Sequence, residues 1–230
     1  MDNKFTDYYR LGGIGGIKIG RKKFKGVREI PWDIQRSICV NPSKKIIYFK
    51  PGKAAGTSIF RVLLQPMGGW IIQKDNPQQF SEWMNSITDV ELDSYFKFIF
   101  VRNPYDRLVS VWNDKKHEYD LNKNFKDFVS TKNSIFVDDV PKHLHLQTQT
   151  SLVETPNGFG TCLNFIGKVE SIDEDWKTLC FCTDTPYRPM VKAQVRKHAN
   201  YKSYYDEETT KIVQELYKRD FEKFGYSKIL

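Results

Sequence analysis

Short blocks of consecutive apolar residues alternate along this chain with stretches in which apolar residues recur every three or four positions. Ile46-Ile-Tyr-Phe49, bounded by Pro42 and Pro51, is a β-branched and aromatic run of strand length. From Thr57 to Gln65 the apolar residues stand at 59, 60, 63 and 64, a helical spacing closed by Pro66 and Gly68-Gly69. The pattern is strand, glycine-containing loop, helix. A polar stretch over 77–87 has helical character, and a second unit of the first kind follows it. Phe96-Lys-Phe-Ile-Phe-Val101 has strand composition, and Asn103-Pro104 marks a helix start, with Asn as cap and Pro at the first helical position. Leu108, Val109, Val111 and Trp112 supply the buried side of that helix. Two strand-to-helix units imply a parallel sheet with helices on its faces, so the fold class is α/β, and ligands of such sheets bind at the carboxyl ends of the strands.

Three further elements follow. Leu163-Asn-Phe-Ile-Gly167 predicts another strand, and Ser171-Ile-Asp-Glu-Asp-Trp176 a helix start capped by Ser171 with acid in its first turn. Residues 206–224 predict one long helix, acidic at its start, stopped by Gly225, with Ile212, Leu216, Phe221 and Phe224 on its apolar face.

Length and composition narrow the picture. At 230 residues and 27.0 kDa the chain holds one hydrophobic core, here assigned to a single domain over 41–230 behind an N-terminal arm over 1–40. Hydrophobic residues at 40% and aromatic residues at 14% exclude a disordered chain. No run approaches the ~20 apolar residues of a membrane-spanning helix, and no signal region follows Met1, so a soluble, cytoplasmic protein is expected. Cys39, Cys162, Cys180 and Cys182 are too scattered for a disulfide framework and lack the paired spacing of a zinc site.

The net charge of +8 is confined to one end: residues 1–55 hold 13 Lys and Arg against 4 Asp and Glu. The cluster Lys18, Arg21, Lys22, Lys23, Lys25 and Arg28 is either a solvated arm or a surface for an anionic partner; with the excess so localised, nucleic acid is not the expected partner. Leu11-Gly-Gly-Ile-Gly-Gly-Ile17 in the same arm has no strand before it and does not fit a dinucleotide loop.

The candidate chemistry sits in the two strand-to-helix turns. In Pro51-Gly-Lys-Ala-Ala-Gly-Thr-Ser58, backbone amides and a helix N-terminus can face one anion, with Lys53 adding charge and Thr57 and Ser58 adding hydroxyl donors. Lys53 is not in Walker A position, and a simple chain-reversing turn is the alternative. The second turn, Phe100-Val-Arg-Asn-Pro-Tyr-Asp-Arg-Leu-Val-Ser110, puts Arg102 at a strand exit and Ser110 about two helical turns on. A guanidinium holds a phosphate bidentately and a hydroxyl completes the grip. Arg107 is expected to pair with Asp106 or Asp114 on the helix surface.

At these two segments the chain resembles the sulfotransferases that use 3′-phosphoadenosine 5′-phosphosulfate (PAPS), and especially the membrane-type, family 2 carbohydrate sulfotransferases. Lys53-Ala-Ala-Gly-Thr-Ser58 is similar to their 5′-phosphosulfate loop, and Phe100 to Ser110 to their 3′-phosphate segment. Phe165-Ile-Gly-Lys-Val-Glu170 and the end of the chain from Tyr204 to Tyr226 also resemble that family, so the likeness spans 45–226. The resemblance implies a P-loop nucleotide-kinase-like fold and PAPS as co-substrate, without a metal. It implies that Lys53, Ala54, Ala55, Gly56, Thr57 and Ser58 hold the 5′-phosphosulfate, Lys53 also stabilising the leaving phosphate, and that Arg102 and Ser110 hold the 3′-phosphate. The implied acceptor is a hydroxyl, on a carbohydrate.

The base for that hydroxyl is left open. No histidine lies between Ser58 and Asn113, only carboxylates such as Asp75, Glu82, Asp89 and Glu91. His145-Leu-Gln147 resembles a histidine segment of the carbohydrate sulfotransferases, which makes His145 the first candidate, with His143 or a carboxylate as alternatives. Arg196 and Lys197 could close over a 3′-phosphate. Two other functions compete: an ATP-dependent kinase on the same fold, and a polyanion binder working through the basic arm.

Overall fold

The computed structural model describes residues 38–73, 75–115, 124–130, 136–137, 140–141, 145–154, 162–190 and 200–230. The glycine-rich basic arm, His143 and the Arg196-Lys197 pair lie outside the described residues. All three predicted strands form, each parallel to its neighbour among them. In chain order the strands are β1 (Ile38–Asn41), β2 (Ile46–Phe49), β3 (Ile71–Ile72), β4 (Phe96–Val101), a separate hairpin of β5 (Phe136–Val137) and β6 (Val140–Pro141), and β7 (Phe165–Lys168). The main sheet has the order β3-β1-β2-β4-β7, with β2, β4 and β7 parallel and β1 antiparallel to both its neighbours.

The antiparallel edge was not anticipated. Ile38-Cys-Val-Asn41 is buried at all four positions, so three residues allotted to the arm belong to the sheet. These four residues carry too short an apolar run to declare a strand from the sequence.

Alternation along the strands divides the core in two. Ile38, Val40, Ile47, Phe49, Ile99 and Val101 face helices α2 (Pro77–Ser86) and α3 (Asp89–Asp93). Cys39, Ile46, Tyr48, Phe98, Phe100 and Phe165 face helix α1, residues 56–67, and a later helix over Ile172–Cys182. Period-2 side chains with helices on both faces are what a buried α/β sheet requires. The middle of α1, Phe60–Leu64, is π-helical.

Beyond the sheet, a third apolar cluster joins α4 (Pro104–Lys115), α5 (Phe125–Ser130) and the C-terminal helices. With α6 at Ile172–Cys182, the last two helices are α7 (Glu207–Leu216) and α8 (Lys218–Phe224). The single helix predicted over 206–224 is thus broken at Tyr217, whose φ of −113° and ψ of 22° leave the helical region. Tertiary contacts account for the break: the Tyr217 hydroxyl donates to the carbonyl of Leu146 at 2.8 Å and its ring lies under the Arg107 guanidinium. Ser171 does not cap α6 as expected; its hydroxyl donates to Asp175 Oδ2 instead. Among the described residues no helix is long and apolar enough to cross a membrane.

Candidate active site

Because β2 and β4 are parallel neighbours, the segments leaving them emerge on one edge of the sheet. They meet there directly: Arg102 Nη1 donates to the carbonyl oxygen of Lys53 at 3.3 Å. Two motifs that are distant in the chain therefore share one site.

The first loop takes its shape from residues that carry no glycine signal. Lys53 and Ala55 have φ of 63° and 59°, whereas Gly52 and Gly56 are not among the left-handed residues. Non-glycine residues in this region cost on the order of 1–3 kcal/mol and cluster at functional sites. Left-handed residues alternating with right-handed ones can turn successive amides to one side, the geometry of an anion-binding nest. The amides of Ala55, Gly56, Thr57 and Ser58 donate to no acceptor among the described residues, and the first bond of α1 starts at Ile59, which donates to Ala55. Ala54 and Ser58 are buried, Thr57 is exposed, and Lys53 is half-buried.

Gly52 is required for close approach rather than for its backbone angles. A Cβ there would stand 3.0 Å from the Cα and 3.1 Å from the Cγ of His145. This packing brings His145 against the anion loop. Its Nδ1 is shut off from solvent.

The second segment is held from three sides. Asn103 Oδ1 accepts the amide of Tyr105 at 3.0 Å, with Pro104 opening α4, which is the cap the sequence predicted. The Gln149 side chain accepts the Arg102 amide and donates to the Arg102 carbonyl, both at 2.9 Å, standing in for a strand partner. Gln149 is in turn fixed by the buried Asp220, which accepts the amides of Gln149 at 2.9 Å and Thr150 at 2.8 Å. Glu170 accepts the Asn103 amide at 2.7 Å and the Tyr226 hydroxyl at 2.9 Å. Burial and the Glu170 charge push Tyr226 well up, so it stays a donor. In Phe165-Ile-Gly-Lys-Val-Glu170, then, Glu170 braces the start of α4, and Gly167 makes room for the Phe100 ring, which a Cβ would meet at 2.4 Å.

Asp106, Ser110 and Asp114 recur at four-residue steps and form one stripe on α4. Asp106 Oδ2 accepts from Arg102 Nε at 2.7 Å, and Asp114 Oδ2 stands 3.2 Å from Lys53 Nζ. Ser110 lies between these two ion pairs. The sequence had marked both cations and the serine, but had given the two carboxylates to Arg107 rather than to Arg102 and Lys53. An arriving anion competes with Asp114 for Lys53. Asp114→Asn is therefore expected to tighten binding of 3′-phosphoadenosine 5′-phosphate about two- to fivefold, the size of a half-exposed ion pair, in a calorimetric titration.

Arg107 does not pair with Asp106 or Asp114 on the helix surface. It is 1% exposed and, among the described residues, bonds only to main-chain carbonyls, because its position on α4 points away from the stripe and into the molecule. Among the carboxylate alternatives for the base, Asp89 and Glu91 belong to α3, which precedes β4 and stands at the amino edge of the sheet. Glu91 there closes a capping box with Thr88. The cysteines are free, and burial pushes the Cys39 thiol up to about 12 and the Cys180 thiol to about 11, which makes both poor nucleophiles. Among the described residues no group of three or more His, Cys, Asp or Glu is placed to hold a metal ion.

A family model described as the sulfotransferase family matches residues 36–227, which include β1 and both turns. The chain belongs to the sulfotransferase family. No curated protein and no solved structure was found to match it. Sulfuryl transfer is the chemistry that follows from the family, and this sulfotransferase has a loop with left-handed residues, a lysine and an arginine on one sheet edge, with a histidine packed against the loop.

Proposed function

We propose that this sulfotransferase moves a sulfuryl group from PAPS to an acceptor hydroxyl, on a carbohydrate. The observation that carries the reading is the junction of the two turns, where Arg102 Nη1 bonds the Lys53 carbonyl beside four amides that have no acceptor among the described residues. A donor with phosphates at its 3′ and 5′ positions needs two such cationic turns at a fixed separation. The residues fit that group: the amides of 55–58 with Lys53 suit the 5′-phosphosulfate, and Arg102 with Ser110 suits the 3′-phosphate. Arg102 spends two of its five donors on Asp106 and Lys53, so donors remain for a phosphate. The carbohydrate acceptor follows from the likeness of the motifs to those of the carbohydrate sulfotransferases.

In the transfer, a bond forms between the acceptor oxygen and sulfur while the bond from sulfur to the 5′-phosphate oxygen breaks. Lys53 and the loop amides stabilise the charge developing on that oxygen, an interaction stronger in the transition state than in the ground state. His145 takes the acceptor proton, being within the same packed unit as the loop.

The test is calorimetric titration of the full chain with 3′-phosphoadenosine 5′-phosphate, against ATP with Mg²⁺ at the same salt. Tight binding of the bisphosphate with weak binding of ATP is expected. Preference for Mg-ATP would place a kinase ahead, and binding of neither would defeat the donor assignment.

A further inference from the structure

Arg107 is buried, permanently charged, and unaccounted for by donor binding or sulfuryl transfer. Its Nη1 donates to the carbonyl of His145 at 2.9 Å and to that of Gly52 at 3.4 Å, and its Nη2 to the carbonyl of Gln147 at 2.7 Å. The guanidinium carbon lies 5.2 Å from the centre of the Tyr217 ring, and the Tyr217 hydroxyl bonds the Leu146 carbonyl between two of those acceptors. One side chain thus ties together the anion loop after β2, the histidine segment and the C-terminal helices, with α4 as its base. A planar fork is suited to this, since it can reach several carbonyls at set angles where an ammonium cannot. A buried charge of this kind contributes little net stability compared with an apolar side chain of similar size.

We infer that Arg107 is a positioning residue that sets the distance between the anion loop and His145, and so couples donor binding to the placement of the base. This inference rests on the donor reading above. Binding at the loop is transmitted to His145 through two routes, the fork of Arg107 and the contact of Gly52 with the His145 backbone. Neither Gly52 nor Arg107 is itself placed on the donor or the acceptor. The effect of Arg107 is on the relative position of two segments that are separate in the chain.

The experiment uses the full chain with 13C-labelled histidine, the His145 ring resonance being assigned by its loss in His145→Gln. In the wild type, 3′-phosphoadenosine 5′-phosphate displaces that resonance as it binds. Arg107→Lys keeps the charge but loses the fork; it is expected to bind the bisphosphate about tenfold more weakly, with the displacement of His145 abolished or much reduced. Val213→Ala, a cavity in the same apolar cluster, provides a destabilised reference that should bind within twofold of wild type. Arg107→Lys behaving like Val213→Ala, with binding and the His145 displacement both kept, overturns the inference alone. Failure of the wild type to bind overturns the donor reading and this inference with it. Should Arg107→Lys not fold, Gly52→Ala tests the second route. Its added methyl wedges His145 from the loop, so the His145 displacement should be lost, and an unchanged displacement defeats the coupling.

Discussion

Replacing Lys53 by Ala should lower turnover at saturating donor by about 10²–10³-fold while the fold and most of the bisphosphate affinity persist. The asymmetry follows from where the charge appears. In the ground state the loop amides and Arg102 share the anionic groups, and Lys53 first has to leave Asp114, so its net contribution to binding is small. In the transition state, new charge develops on the bridging oxygen of the leaving phosphate, and an ammonium there acts where no other side chain of the loop carries charge. Removal of an interaction specific to the transition state lowers kcat and kcat/KM together. Single-turnover sulfate transfer to a responsive acceptor is the measurement, with calorimetry on the same variant. A variant that loses binding but keeps its rate at saturation would show Lys53 to be a binding residue only.

Asp220→Ala should produce the largest loss of stability, about 3 kcal/mol or more, read as a fall in the urea midpoint at constant slope. Asp220 is fully buried and accepts two backbone amides, those of Gln149 and Thr150, with the Gln149 side chain at 3.4 Å as a third donor. Truncation leaves these donors without an acceptor in a dry interior, which is the costly way to remove a hydrogen bond. Asp220→Asn keeps one carbonyl oxygen but turns an amide toward a second donor, and its loss should fall between wild type and Asp220→Ala. The consequence reaches the site, because Gln149 also clamps the backbone of Arg102. A small loss in Asp220→Ala would mean that the 149–150 segment finds other acceptors.

The parts of this molecule that could be read in one dimension are those whose physics is local. Phe96 to Val101 is a strand because a run of β-branched and aromatic residues fits a buried pleat, and Asn103 caps α4 because a short polar side chain can bond an amide two residues on. Both turns and their cations were visible because an anion loop at a strand end needs particular residue types at short spacing. Ile38 to Asn41 was missed, since these four residues carry too little pattern to declare a strand until β2 and β3 pair with them. The long helix over 206–224 was read as continuous because nothing near Tyr217 breaks a helix locally. Its interruption is decided by Leu146 and Arg107, far away in the chain. The shape of the loop was not legible for a related reason: packing against His145 and Lys50 is what uses Gly52 and Gly56, while Lys53 and Ala55 take the left-handed angles.

By itself, then, the sequence determined the α/β class, the two strand-to-helix turns, and Lys53 and Arg102 as their cations, because propensity, capping and loop chemistry act over a few residues. Only the tertiary structure decided that Arg102 touches the Lys53 carbonyl, that Asp106 and Asp114 hold the two cations, and that Arg107 turns inward to bind the Gly52 and His145 carbonyls. Those partners are chosen by parallel pairing of β2 with β4 and by the docking of the 145–150 segment, and contacts across such separations leave no periodicity in the chain that makes them.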